Sequence, residues 1–170
     1  TLVAPEKAGW PTIPGVRMPP APMTTYHLDF GPEWQQGRVT IEPPRLGAPF
    51  VSLVPAVDDA GNHRGGIRLP EIAVPLATHT GWNYRRPDIG APDRLASEIG
   101  AYRPLPRTAA DRAAAGDSRP AIAERYPSRE DYLGRIALAA VALVRDRYLL
   151  AEDVPDILTR AAAHYDWAAR

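Results

Sequence analysis

Proline constrains this chain more than any other residue. Twenty of its 170 residues are proline, and nineteen of those precede Ser128. Each fixes φ and removes a backbone donor. Apolar and aromatic residues are interleaved with them, so the composition reads as a chain lying extended on a surface rather than as disorder. Residues 1–49 carry Trp10, Tyr26, Phe30 and Trp34 among ten prolines. Within that arm only 23–30 and 38–42 have strand character. A structureless arm of this length is uncommon inside a self-sufficient domain. The expectation is that its rings dock on a body outside this sequence; a flexible linker is the plainer alternative.

The segment 62–86 is the second organising feature. It mixes arginine, histidine, tryptophan, glycine and proline in backbone that fits neither helical nor strand period throughout. Pro70 and Pro75 are awkward in a central strand. Irregular segments rich in such side chains more often form sites, or the walls of sites, than spacers. Before it, 50–58 is the best strand candidate, 58–62 reads as a turn, and 66–69 returns to make a short hairpin. The turn's aspartates do not make a calcium loop, because Ala60 breaks the ligand alternation and Glu71 has the wrong spacing. His79 is open to three readings: general base, ligand or structural histidine. With no partnered residue in the sequence, the structural one is favoured. A short helix is expected over 94–99, stopped by Gly100.

The remainder is helical. Residues 108–116 carry a threonine cap and a glycine stop. A second helix runs from near Arg119 to Tyr126, before Pro127. Ser128 opens the longest helix, and with Asp131 it resembles a capping box. Leu133, Ile136, Ala140, Leu143 and Val144 form its apolar stripe. A break at 149–152 leads to a last helix with Asp153 as cap and Pro155 in its first turn. Val154, Ile157, Leu158, Ala161, Ala162 and Tyr165 form its buried side, and the two long helices should pair antiparallel.

Lys+Arg and Asp+Glu are both 20, which argues against a nucleic-acid or anionic-membrane partner. No apolar run reaches the ~20 residues of a membrane span. The absence of cysteine excludes disulfides and zinc–thiolate sites. Nothing points to a cofactor, a metal or a compartment. No nucleophile elbow, phosphate-cradling glycine loop or His-Glu-x-x-His motif is present. The chain starts at Thr1, which suggests a processed product or a fragment. A threonine with a free α-amine can also serve as its own base in a hydrolase, but Pro5 interrupts the strand such a site needs.

Thr1–Pro5, 54–62, 66–83 and 125–132 together resemble the C-terminal part of a family of large bacterial α/β-hydrolase-domain proteins. The resemblance covers nearly the whole chain and is most specific over 66–83. His63 stands where an acidic residue is usual, and His79 where tyrosine is usual. The resemblance implies a serine-hydrolase-like enzyme whose Ser-acid-His triad lies upstream, so no catalytic residue is assigned here.

The expected fold is α+β, with an extended proline-rich arm, a short β-hairpin and a C-terminal helical cap. The divisions are 1–49 for the arm, 50–107 for short strands and irregular loops, and 108–170 for the helices. These complete an α/β-hydrolase-type core carried on another segment, the upstream hydrolase core being the implied partner. The expected function is support of that core and lining of a pocket for a small ester or amide. The residues singled out for substrate are His79, Thr80, Trp82 and Asn83, with Asp58 and Arg68 behind them. Alternatively, Asp58 and Arg68 simply pair and Trp82 is core. A non-catalytic protein-interaction module and a Thr1 hydrolase are the rival functions.

Overall fold

Short strands and capped helices are what this proline distribution permits, and both occur in the computed structural model, which describes residues 2–18, 22–96 and 98–170. The strands are β1 (Leu2–Val3), β2 (Tyr26–Asp29), β3 (Arg45–Pro49), β4 (Val54–Pro55), β5 (Ala77–Thr80) and β6 (Ala101–Pro104). They pair antiparallel as three separate two-stranded sheets, β1–β4, β2–β3 and β5–β6. The helices are α1 (Pro70–Ala73), α2 (Ala109–Ala115), α3 (Ile122–Arg125), α4 (Arg129–Arg145) and α5 (Val154–Ala168). The architecture is α+β.

Local chemistry sets the helix ends. Thr108 and Asp111 form a reciprocal capping box on α2, and Gly116 closes it in the left-handed conformation. Ser128 caps α4 by accepting the Asp131 N–H at 3.2 Å. Asp131 turns its carboxylate to Arg135 at 2.9 Å instead of returning to the cap, so the expected box is only half made. Asp153 makes no side-chain cap on α5, because residues 151–153 already turn as a 3₁₀ helix. The α4–α5 pair is antiparallel: Arg129 near the start of α4 bonds Asp166 near the end of α5 at 2.7 Å.

The core gathers Val74, Leu76, Leu105, Ile122, Tyr126, Tyr132, Ile136 and Ala161. Tyr132 stacks edge-on to Tyr126 at 5.1 Å between ring centres, and Tyr126 donates its hydroxyl to Pro75 O at 2.8 Å. Burial pushes the Tyr126 phenol up to about 12, so it remains a donor at neutral pH.

Beside this core lies a buried ion pair. The Arg119 and Asp117 side chains are 3% and 4% exposed. Arg119 holds Asp117 through Nε at 3.0 Å and Nη2 at 2.6 Å. Its remaining donors reach Thr78 Oγ1, Arg103 O and Pro104 O, each at 2.9 Å. One guanidinium thus ties β5 and β6 to the loop after α2.

Three sequence expectations are corrected. The strand character expected over 38–42 does not become a strand, and β2 pairs with β3; Gly31–Gly37 turns through a 3₁₀ helix over Trp34–Gln36, and Thr40 and Ile41 N–H groups fold back onto Phe30 O. Residues 50–58 do not return as a hairpin with 66–69. Val54–Pro55 pairs with β1 instead, and a single bridge, Val57 to His63, closes the 58–62 turn. No helix forms over 94–96 or 98–99: Arg85 N–H bonds Arg94 O and Ala96 N–H bonds Asn83 O, which consumes the backbone groups a helix would use. Ser97 lies outside the described residues.

The arm divides. Trp10 is half-buried against the chain's own His63 and Trp82, at 6.4 and 6.1 Å. Phe30 and Trp34 stack on each other at 4.5 Å, with Trp34 still 50% exposed. Every residue of β2 and β3 is exposed.

Replacing Arg119 by Met leaves Asp117 buried and unpaired, and should lower unfolding free energy by about 3–5 kcal/mol in denaturant titration. Arg145→Met, at the exposed Arg145–Asp146 pair, should leave the midpoint unchanged. Burial by itself would raise the Asp117 carboxyl, but the hydrogen bonds and charge of Arg119 outweigh it and hold the group below the ordinary 3.8. The pair's stabilisation is therefore present above that pH and fades in acid as Asp117 protonates.

Candidate functional site

The β5–β6 ribbon carries the candidate chemistry, and its register assigns side chains to two faces. His79 lies opposite Tyr102, Thr78 opposite Arg103, and Thr80 opposite Ala101. Directly opposed residues share a face and successive ones alternate. His79 and Tyr102 therefore share the face covered by α5, while Thr78, Thr80, Ala101 and Arg103 point to the other.

On the α5 face the Tyr102 hydroxyl hydrogen-bonds His164 Nε2. Burial raises the Tyr102 phenol and lowers both imidazoles; the charge of Glu71 counters that lowering at each histidine. A protonated phenol donating to a neutral imidazole satisfies both tendencies. His79 sits edge-on to Tyr102 at 5.3 Å, and its Nε2 is buried without a hydrogen-bond partner. Trp167 closes the cluster, 6.1 Å from Tyr102 and 6.0 Å from His164. Next to it, a cavity of about 340 Å³ opens between α1, α4 and α5, lined by Glu71, Tyr132, Arg160 and His164 among others.

On the opposite face is a cleft of about 240 Å³. Thr80, Trp82 and Asn83 line it together with Tyr84, Arg17, Arg85 and Arg103. Thr80 Oγ1 donates to Trp82 O at 2.5 Å and accepts Ala101 N–H at 3.0 Å, which fixes the turn that delivers Trp82. Trp82 packs edge-on between Trp10 and Tyr84.

The six residues singled out in the sequence thus occupy three places. Thr80, Trp82 and Asn83 share the cleft, and His79 lies across the ribbon from them. Asp58 and Arg68 form an ion pair elsewhere, the pairing given above as the alternative to a substrate role. Asp58 Oδ1 also accepts the Ala60 and Asn62 N–H groups at 3.0 and 2.9 Å, and Arg68 donates to Ile72 O at 2.7 Å. Asn62, not singled out, links that turn to β5: its side chain donates to Ala77 O at 2.9 Å and accepts His79 N–H at 2.8 Å. Tyr102, Arg103 and Arg17 were also missed. Tyr102 and Arg103 are brought in by strand pairing across 21 or more residues and Arg17 by contacts with Tyr84, Pro92 and Asp93, signals single-sequence periodicity does not carry.

Compared with known proteins, the sequence matches the α/β hydrolase domain family model over residues 9–159. The chain belongs to the α/β hydrolase domain family. No curated protein and no solved structure matches it. Membership indicates a hydrolase-like function. In α/β hydrolases the nucleophile stands on a strand-to-helix elbow with a histidine in hydrogen-bond reach. Among the described residues of this family member, no serine or threonine hydroxyl bonds a histidine. Ser118 Oγ accepts Thr12 N–H at 2.8 Å, and Ser128 caps α4. Thr1 lies outside the described residues. No group of side chains suited to a metal ion occurs among the described residues.

The two histidines give a signed pH prediction. Folding keeps His79 and His164 neutral below the ordinary histidine value of 6.5, so the unfolded chain binds more protons there. Stability should therefore fall as pH drops through 6.5 toward the depressed folded values. Thermal melts between pH 7.5 and 5 should show this decline, and His164→Gln should flatten it.

Proposed function

We propose that this chain is the C-terminal portion, or a processed C-terminal chain, of a serine-hydrolase-like enzyme acting on ester or amide bonds. In this reading its arm, 1–49, and its middle segment, 50–107, lie against the upstream hydrolase core. The helical segment, 108–170, caps the assembly. Thr80, Trp82 and Asn83 contribute to the wall of the substrate pocket, with Trp82 as an apolar surface and the others as polar neighbours. His79 supports that wall from the reverse side of the ribbon, and Asp58 and Arg68 stiffen the preceding turn.

The observation that carries the reading is the apolar surface of 28–53. Leu28 is 49% exposed, Leu46 68%, Phe50 49%, Val51 85% and Leu53 49%. Single exposed apolar residues are ordinary, but a group of them on one hairpin and the segment that follows it marks an interaction surface. Family membership supplies the chemical class, and the want of a hydroxyl–histidine pair among the described residues fits a nucleophile supplied from elsewhere. A non-catalytic interaction module would use the same surface, so the test must read the nucleophile directly.

A fluorophosphonate probe reacted with the native preparation, followed by peptide mass spectrometry, separates the alternatives. The proposal expects labelling at an elbow serine other than Ser52, Ser97, Ser118 and Ser128, on a polypeptide that co-purifies or is continuous with this one. Absence of any labelled serine contradicts it and favours the module, while hydrolysis abolished by blocking the Thr1 amine contradicts it in favour of the threonine hydrolase. Where that polypeptide is a separate chain, Leu28→Ser with Phe50→Ser should release this chain from it in size-exclusion chromatography.

A further inference from the structure

We propose that the cleft between residues 15–17, the 80–85 turn and β6 binds a small carboxylate with a flat apolar body, of the benzoate type. The inference starts from charge. Three arginines, Arg17, Arg85 and Arg103, line the cleft, and no aspartate or glutamate does. Arg17 is committed: it bonds Asp93 at 2.8 Å and Pro92 O at 2.5 Å, and its guanidinium lies 3.6 Å from the centre of the Tyr84 ring. Arg85 bonds only neutral acceptors, Gly90 O at 3.1 Å and Ile89 O at 3.0 Å. Arg103 makes no ion pair among the described residues, and its Nε is buried without a partner. Asp117 and Asp111, which share a neighbouring cavity with Arg103, are already used, Asp117 by Arg119 and Asp111 by Thr108 and Arg107. Two guanidinium charges therefore remain uncompensated beside one concavity.

A buried N–H with no acceptor is costly, and a carboxylate is the acceptor an arginine fork fits best. The walls specify the rest of the ligand. Trp82 and Tyr84 stand edge-on at 6.3 Å, and Pro87 and Pro92 face the same cleft. Such walls accept a flat apolar body, and a volume of about 240 Å³ limits it to roughly one ring. Lysine-like point charges would not impose this geometry, whereas a planar guanidinium favours a planar anion held in one orientation.

The inference stands on the cleft alone and does not depend on the hydrolase reading, because affinity is measured without turnover. Calorimetric titration of the intact protein with benzoate should show saturable binding. Benzamide, the neutral isostere, and acetate, which lacks the ring, should each bind at least about tenfold more weakly. Arg103→Gln should weaken benzoate about tenfold, while Arg160→Gln, in the other cavity, should leave it unchanged. If Arg103→Gln fails to give the wild-type melting transition, Arg85→Gln decides the same point. Unsaturable benzoate binding, equal affinity for benzamide, or unchanged affinity in the folded arginine variants would overturn the assignment.

Discussion

Everything near the candidate site depends on one guanidinium. Arg119 spends its donors on a buried carboxylate, a threonine hydroxyl and two strand carbonyls. Two strands of four residues each would not hold their register unaided, since an isolated hairpin is marginal in water. Locking both to the loop after α2 makes the ribbon rigid enough to separate its faces. A lysine could neither fork onto Asp117 nor reach three further acceptors at once.

Rigidity of that ribbon explains why neighbouring residues do unlike things. His79 and Thr80 are adjacent, yet one meets an aromatic cluster under α5 and the other lines an arginine-rich cleft. The first face has the character of packing: a raised phenol, lowered imidazoles and a tryptophan edge. The second combines open volume, uncompensated charge and aromatic walls, which is the make-up of a binding surface. The family indicates a hydrolase-like chemistry, and the ribbon's two faces present different side chains to their surroundings.

How much of this was legible in the sequence follows from the range of each interaction. The caps at Thr108 and Ser128, the stop at Gly116 and the stripe through Ile136 and Ala140 are encoded within a few residues, and they could be read directly. The Asp58–Asn62 turn is local in the same way. The strand expected over 38–42, the hairpin of 50–58 with 66–69 and the helix over 94–99 were misjudged because partners outside each segment decide its state: Phe30 O, β1 and the 83–85 backbone, respectively. The cleft was half legible. Thr80, Trp82 and Asn83 are contiguous, while Arg17 and Arg103 arrive from far along the chain. In the sequence Arg119 reads only as the start of a helix and Asp117 is not singled out, since nothing in their local spacing announces burial.

The same separation of ranges explains the arm. Trp10 finds partners within the chain, but β2, β3 and the segment to Leu53 present apolar side chains that no described residue covers. Hydrogen exchange measured on this chain alone and on its native assembly tests the account most directly. The account predicts slow amides in β5 and β6 in both samples, and amides of 26–49 that exchange fast in the isolated chain but slowly in the assembly. Equal protection of 26–49 in both samples would contradict it.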